Sequence, residues 1–209
     1  MSTHEVKEAR GLIGECDAPG SVDISLMALA LVAKTSGGSE IRRCSLRPDA
    51  IAMVSALKAL GVEVKRSKTG VTVTGGALKA VDEVLKVGSS EMFLGCLSGL
   101  VAGVDFRTKL DGSANATGVI AALKALGARV DVAVEGTYPL TVGGRDVKAG
   151  THQIDAPDSA VKAAFFLAGL GISEAVRLDQ PAAGDDDLES LLTTAEVGFE
   201  KSKEVGKEG

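Results

Sequence analysis

Three strongly apolar runs punctuate the chain: Leu26–Lys34 (LMALALVAK), Met92–Gly103 (MFLGCLSGLVAG) and Val161–Gly171 (VKAAFFLAGLG). Each is apolar on more than one face, so a helix built from it belongs in an interior. Between them lie segments with the two-residue alternation of half-buried strands, clearest in Val71–Thr74 (VTVT). The pattern recurs because the chain repeats itself. Val54–Val64 (VSALKALGVEV) returns as Ile120–Val130 (IAALKALGARV), with Ala56–Gly61 and Ala122–Gly127 identical. A third, worn copy is Leu191–Glu200 (LLTTAEVGFE), with Gly198 in the place of Gly61 and Gly127. One supersecondary unit used three times is the implication.

The unit reads strand, helix, strand, helix, strand, strand. In the first copy, about residues 10–76, Gly11–Ala18 is a strand ended by Pro19-Gly20. A helix capped by Asp23 or Ser25 runs to Lys34, Thr35–Ser39 turns, and Ser39–Leu46 is a strand. Pro48 and Asp49 open a helix over Ala50–Leu60 that stops at Gly61, followed by strands Val62–Arg66 and Val71–Thr74. The second copy, about 77–145, has strands Val81–Val87 and Val104–Leu110 around a helix capped by Ser89 or Ser90 and running through Ala102. Helix Thr117–Leu126 stops at Gly127, and strands Arg129–Val134 and Leu140–Val142 follow. The third, about 146–200, has strand Thr151–Ile154, a cap at Asp158 or Ser159, helix Ala160–Leu170 and strand Ala175–Leu178. Helix Asp186–Glu196 and a strand near Phe199 complete it. Residues 1–9 are a polar, flexible start and 201–209 a charged tail, leaving one domain over 10–200. The expected class is α/β, with helices inside and sheets outside.

Composition narrows the function classes. The chain is 45% hydrophobic but only 3% aromatic, so its core must be built from Ala, Val and Leu. A net charge of −5 gives no broad basic surface, which argues against nucleic-acid and anionic-membrane binding. The apolar runs are too short for a membrane span. Residues 1–10 lack an apolar signal core, so secretion is not expected. Cys16, Cys44 and Cys96 fit neither a metal spacing nor a disulfide framework. Reduced thiols in the cytoplasm or another reducing compartment, an organelle lumen included, are the expectation.

Several stretches, in order, carry a family pattern. Gly14–Ser25 (GECDAPGSVDIS) stands where the pattern has a strand and then PGDKSIS; Ser39–Val64 resembles its strand, loop and ALxALGVEV. Gly88–Ala102 (GSSEMFLGCLSGLVA) falls on GNSGTTMRLLSGLLA, Tyr138–Gly144 (YPLTVGG) on YPPLTIRG, and Asp158–Leu170 (DSAVKAAFFLAGL) on SAQVKSAILLAGL. Over roughly residues 10–200 the chain thus resembles one half of the enolpyruvyl transferases of the EPSP synthase family. The resemblance implies a domain of three βαβαββ units, one of the two in that family. It also implies enolpyruvyl transfer from phosphoenolpyruvate, in a cleft between the two domains.

That chemistry must hold two phosphorylated anions and a carboxylate, which takes Lys and Arg side chains, helix N-termini and an acid/base pair. By the resemblance, the pattern's Lys falls on Val22, the next Ser on Asp23, a following Arg on Met27, the phosphate-gripping Arg on Gly95 and a substrate-binding Gln on Ala160. The Arg-Pro-Met of the family falls near Ala114, Asn115 and Ala116. No catalytic residue is therefore expected. A carboxylate such as Asp23 or Glu91 at a helix start already satisfies the free N–H groups. It repels a phosphate at roughly 4 Å by about 4 kcal/mol at an intermediate dielectric.

What remains for an anion is Ser89, Ser90, Ser159 and Lys162, implying weak or absent binding. Val22, Met27, Met92, Phe93 and Leu94 either point into the core or form an apolar face for a protein partner. The expected role is a non-catalytic subunit or interaction domain, with no metal and no cofactor. The alternatives are a transferase half completed by a separate chain, and a small-molecule binder on the open face. Asp185-Asp186-Asp187 reads as a solvated helix start, His152 as a surface or strand histidine with no partner pattern around it or His4, and the three cysteines as small core residues. Arg42, Arg43 and Arg47 form the one basic cluster, read as a solvated strand edge.

Overall fold

The computed structural model of the chain describes residues 20–132, 134, 137–144, 146–154, 157–180 and 187–195. The first unit contains α1 (Val22–Lys34), β1 (Gly37–Arg42), α2 (Pro48–Ala59), β2 (Glu63–Arg66) and β3 (Gly70–Gly75). The second contains β4 (Leu85–Gly88), α3 (Glu91–Ala102), β5 (Arg107–Gly112), α4 (Thr117–Ala125), β6 (Val130–Val132) and β7 (Leu140–Gly143). The third contains β8 (Gly150–Gln153), α5 (Ser159–Gly169), β9 (Val176–Asp179) and α6 (Asp187–Thr194). The strands expected at 11–18 and near 199 lie outside the described residues.

The second unit has the whole βαβαββ order. Its sheet runs β4-β5-β7-β6, with β4 parallel to β5 and the other pairs antiparallel. A helix between β4 and β5 returns the chain to the same edge, as a parallel pair requires. The first unit's β1-β3-β2 sheet is antiparallel, and β8 pairs with β9 in parallel. Each of the larger sheets buries one face: Val71 and Val73 point inward from β3 while Thr72 and Thr74 are exposed. The helices fill the space between, and α3 is buried at every position from Met92 to Ala102. The first helix of each unit, α1, α3 and α5, therefore lies inside, while α2, α4 and α6 each keep an exposed face next to the outer sheets.

The centre of the packing is a seam without side chains. Gly95, Gly99 and Gly103 of α3 and its C-cap lie against Ala160, Ala164 and Ala168 of α5. A Cβ would fall 2.2 Å from the Ala160 carbonyl oxygen at Gly95, 2.6 Å from that of Ala164 at Gly99 and 3.6 Å from that of Ala168 at Gly103. Contacts that advance together along both chains mean that α3 and α5 run parallel. At their C-terminal ends Lys34 of α1 donates from Nζ to the Leu167 carbonyl and reaches the Cβ side of Gly103. All three helices therefore start at one end of the domain.

The repeat holds at the level of single hydrogen bonds. Gly61 (φ +85°) and Gly127 (φ +80°) take the left-handed conformation just past α2 and α4. Gly61 N–H donates to Lys58 O and Val62 N–H to Leu57 O; Gly127 N–H donates to Lys124 O and Ala128 N–H to Leu123 O. This is the same six-residue cap twice, and glycine is the residue that reaches its φ without strain. Lys79 N–H then bonds Leu60 O, and Lys148 N–H bonds Leu126 O.

Element boundaries differ from the sequence reading where a tertiary partner decides. The cap of α1 is Ser21, whose Oγ accepts the Ile24 N–H, rather than Asp23 or Ser25. Instead of spanning 39–46, β1 begins at Gly37 because Gly37 pairs with Gly75. It stops at Arg42 because Arg43 turns to φ 53° and Ser25 Oγ takes the Ser45 N–H at 2.9 Å. The strand expected at 81–87 is β4, shifted to 85–88, since its ladder starts where Leu85 meets Leu110. The strand expected at 104–110 is likewise Arg107–Gly112. No helix among the described residues is long and apolar enough to cross a membrane.

Two stability predictions follow from this packing. Gly99→Val should lower the urea midpoint by the equivalent of roughly 1–3 kcal/mol or more. Adding Ala164→Gly should restore little, because a backbone oxygen is what the new side chain meets. Burial lowers the Lys34 pKa from 10.5 to about 8. Between those values the unfolded chain holds a proton that the folded chain has lost, so this group's contribution to stability rises with pH across that window. The difference in unfolding free energy between wild type and Lys34→Met should change by at most about 3 kcal/mol from pH 8 to 10.5. An unchanged difference would contradict the burial of the amine.

Candidate functional site at the helix N-termini

Three parallel helix starts make a concentration of positive dipole ends, the physical basis of an anion site. Here each start is closed by the chain itself. Ser21 Oγ accepts from Ile24 N–H at 3.3 Å, Ser90 Oγ from Phe93 N–H at 3.1 Å, and Asp158 Oδ1 from Val161 N–H at 2.8 Å. Asp23 and Glu91 stand in the first turns of α1 and α3, and Asp158 caps α5. Three carboxylates thus occupy the three starts.

Their field is felt by neighbouring groups. The Tyr138 hydroxyl is pushed up to about 12, chiefly by burial and then by the carboxylates of Asp111 and Glu91. The Cys96 thiol is raised strongly by burial and, secondarily, by Asp23. Lys86 answers Asp111 at 2.5 Å across the β4–β5 pair. Burial is the larger cause at both groups, and the carboxylates add to it.

Of the four residues proposed for a residual anion site, three gather at one place and the fourth turns away. Ser89 and Ser159 are exposed at the adjoining starts of α3 and α5, and Ser90 is spent as a cap. Lys162 is not on the open face: it is 5% exposed and faces Glu189 of α6, with Nζ–Oε1 at 3.5 Å. At Gly95, where the resemblance puts a phosphate-gripping Arg, the α5 backbone leaves no room for a side chain while the seam is closed. Ala160 is its opposite number across the seam.

The apolar-face expectation is corrected by burial. Met27, Met92, Phe93 and Leu94 are 1%, 8%, 1% and 0% exposed, because α1 and α3 turn these positions into the core. Only Val22 is half-buried. The apolar side chains exposed near this end are others: Ile24 in α1, Leu46 before α2 and Ile51 in its first turn. Arg42 and Arg43 border a hollow of about 300 Å³ with Gly20, Ser21, Ile24, Ser25 and Ile41. Arg42 is paired with Glu40 at 3.3 Å.

Among the described residues no group of three or more His, Cys, Asp or Glu is placed to hold a metal ion. Cys44 and Cys96 are buried, and burial raises both thiols. His152 is half-buried on β8, with its ring edge-on to Phe165 at 5.7 Å. Cys16, His4, Asp185 and Asp186 lie outside the described residues. Two groups were not singled out from sequence: Glu189, the second of two acids in DLESLLTT, and Lys34, the single charge ending an otherwise apolar run.

Comparison with known proteins matches residues 6–206 to the family model described as EPSP synthase (3-phosphoshikimate 1-carboxyvinyltransferase). The 3-phosphoshikimate 1-carboxyvinyltransferase of Bacillus thuringiensis (strain Al Hakam) is 31% identical over 191 residues, covering 87% of this chain and 44% of that protein. One from Bacillus cereus (strain AH187) matches to the same extent. The chain spans less than half the length of these curated relatives. The solved EPSP synthase from Acinetobacter baumannii superposes with a TM-score of 0.78 at 24% identity, over 91% of this chain and 45% of that one. The enolpyruvyl transferase NikO from Streptomyces tendae gives 0.56 at 19% identity, over 78% and 38%. These two likenesses speak to the fold.

The Lys162–Glu189 contact makes a measurable prediction. Glu189→Gln removes the carboxylate that stands 3.5 Å from the ammonium and should destabilise the domain, read as a lower urea midpoint. Replacing both together, Lys162→Met with Glu189→Leu, should cost much less than the single change.

Proposed function

The chain belongs to the EPSP synthase family, and from that premise we propose that it is a non-catalytic member, serving as a structural or interaction domain of a larger protein assembly. The observation that carries this reading is the burial of Lys162 against Glu189. It is the one basic side chain kept in kind in the stretch that resembles the family's substrate-binding segment, and its charge is answered inside the protein. The carboxylates of Asp23, Glu91 and Asp158 support the same reading, since each stands where a phosphate would collect helix N–H groups. Losing one charged hydrogen-bond partner costs about 1.5–3 kcal/mol. With several lost together, phosphoenolpyruvate and a phosphorylated shikimate are not ligands of this chain on its own. A partner protein bears on the exposed apolar side chains at the same end, Leu46, Ile51 and Ile24.

A second reading has one observation in its favour. The chain matches 91% of its own length to 45% of the Acinetobacter baumannii enzyme, as a half completed by a separate partner chain would. Calorimetry separates the two. Phosphoenolpyruvate and 3-phosphoshikimate at millimolar concentration should give no binding heat with the chain alone. Mixing with the complementary half of the Bacillus thuringiensis relative should give no enolpyruvyl transfer. Turnover on mixing would overturn the non-catalytic reading in favour of the second. In native electrophoresis of source extract, the chain should migrate with a fixed set of other proteins, well above its 21.2 kDa.

A further inference from the structure

The end of the domain opposite the candidate site holds a lysine that neither reading of function uses. Lys34 is the last residue of α1 and turns its amine inward. Its Nζ donates to the Leu167 carbonyl in the last turn of α5. Beside it lies a cavity of about 220 Å³ bounded by Gly103, Val147, Gly171, Ile172 and Ser173. Nζ lies 3.8 Å from the position a Cβ would take on Gly103 and 3.4 Å from that on Gly171. Two of the residues bounding the cavity therefore adjoin the amine, and both are glycines. Lys34 itself does not bound the cavity, and neither glycine puts a side chain beside the nitrogen.

We propose that Lys34 is a reactive-amine site, whose Nζ takes small aldehydes entering through this cavity and holds them as an imine. The Nζ lone pair forms a bond to the aldehyde carbon, giving a carbinolamine. The carbonyl oxygen then leaves as water, carrying off two protons that were on the nitrogen, and a C=N bond remains. Protonation of that nitrogen restores a single N–H, enough to keep the bond to the Leu167 carbonyl. The cation so formed sits at the C-terminal ends of α1, α3 and α5, where helix dipoles favour positive charge. The neutral amine needed for the first step is accessible near neutral pH. Burial alone lowers the Lys34 pKa to about 8, with no charged neighbour contributing. At pH 7.5 roughly a quarter of such amines are neutral, against about one in a thousand for an ordinary lysine. The cavity is smaller than those that take drug-sized ligands, about 300–1,000 Å³, so aldehydes of a few heavy atoms are the class that fits.

The test uses the full chain with propionaldehyde and cyanoborohydride, whose hydride reduces the imine to a stable secondary amine. Each lysine is then followed by peptide mass spectrometry against time. Lys34 should be alkylated at least tenfold faster than the exposed lysines at pH 7.5. Gly171→Ala places a methyl 3.4 Å from Nζ and should slow Lys34 several-fold while leaving the rates of the other lysines and the circular dichroism unchanged. Lys34 reacting no faster than the exposed lysines would overturn the proposal. So would a Gly171→Ala chain that folds normally and reacts at Lys34 at the wild-type rate.

Discussion

Close approach of α3 and α5 is the constraint on which the domain depends. Two helices can bring backbones this near only where one presents no side chain and the other a methyl, as Gly95 and Gly99 do against Ala160 and Ala164. The seam fixes the two helices parallel and in register, and so sets their starts side by side. Once they are side by side, their unsatisfied N–H groups open at the same end of the domain. Something negative must answer them, and Ser90, Glu91 and Asp158 do so from within the chain. The same seam excludes any side chain at Gly95. A side chain at this position requires the α3 and α5 backbones to shift apart locally. A substitution at that position changes the packing before it changes the electrostatics.

Charge at the two ends of this helix group is handled differently. At the N-terminal end, carboxylates and hydroxyls neutralise dipole ends locally and without burial, at little free-energy cost. In the interior, Lys162 and Glu189 neutralise each other at 6% and 7% side-chain exposure, an arrangement that holds only while both are present. At the C-terminal end a single amine, Lys34, is shared by neighbouring helices, and burial rather than a counter-charge sets its protonation. Lys34, Lys162 and Glu189 are thus internal fixtures, while pairs such as Lys65 with Glu63 stand in solvent on the sheets.

Much of this architecture was legible in the sequence, and the physical reasons are local. The six-residue ALKALG stop encodes its own geometry, since glycine there is the residue that reaches the required φ cheaply. Runs that are apolar on all sides, such as MFLGCLSGLVAG, declare burial without needing a partner. That same property is why the candidate site was harder to read. A helix apolar all round carries no directional signal, so nothing in the sequence said whether Met92, Phe93 and Leu94 faced a partner or the core. Lys162 was read as available because its neutralising carboxylate is 27 positions away in another element. Strand β1 was displaced because its ends are set by Gly75 and Ser25, which are distant in the chain.

The bonds from Lys79 to Leu60 and from Lys148 to Leu126 tie the first residues of each following unit to the helix stop of the one before. They are backbone bonds, made by whatever residue stands there, and they use carbonyls that the cap itself leaves open. A segment of DNA encoding one unit therefore encodes half of its own joint. When such a segment is duplicated in tandem, the new copy arrives already tethered at the orientation of the last. What selection then has to supply is a seam of small residues for the added helix to lie against.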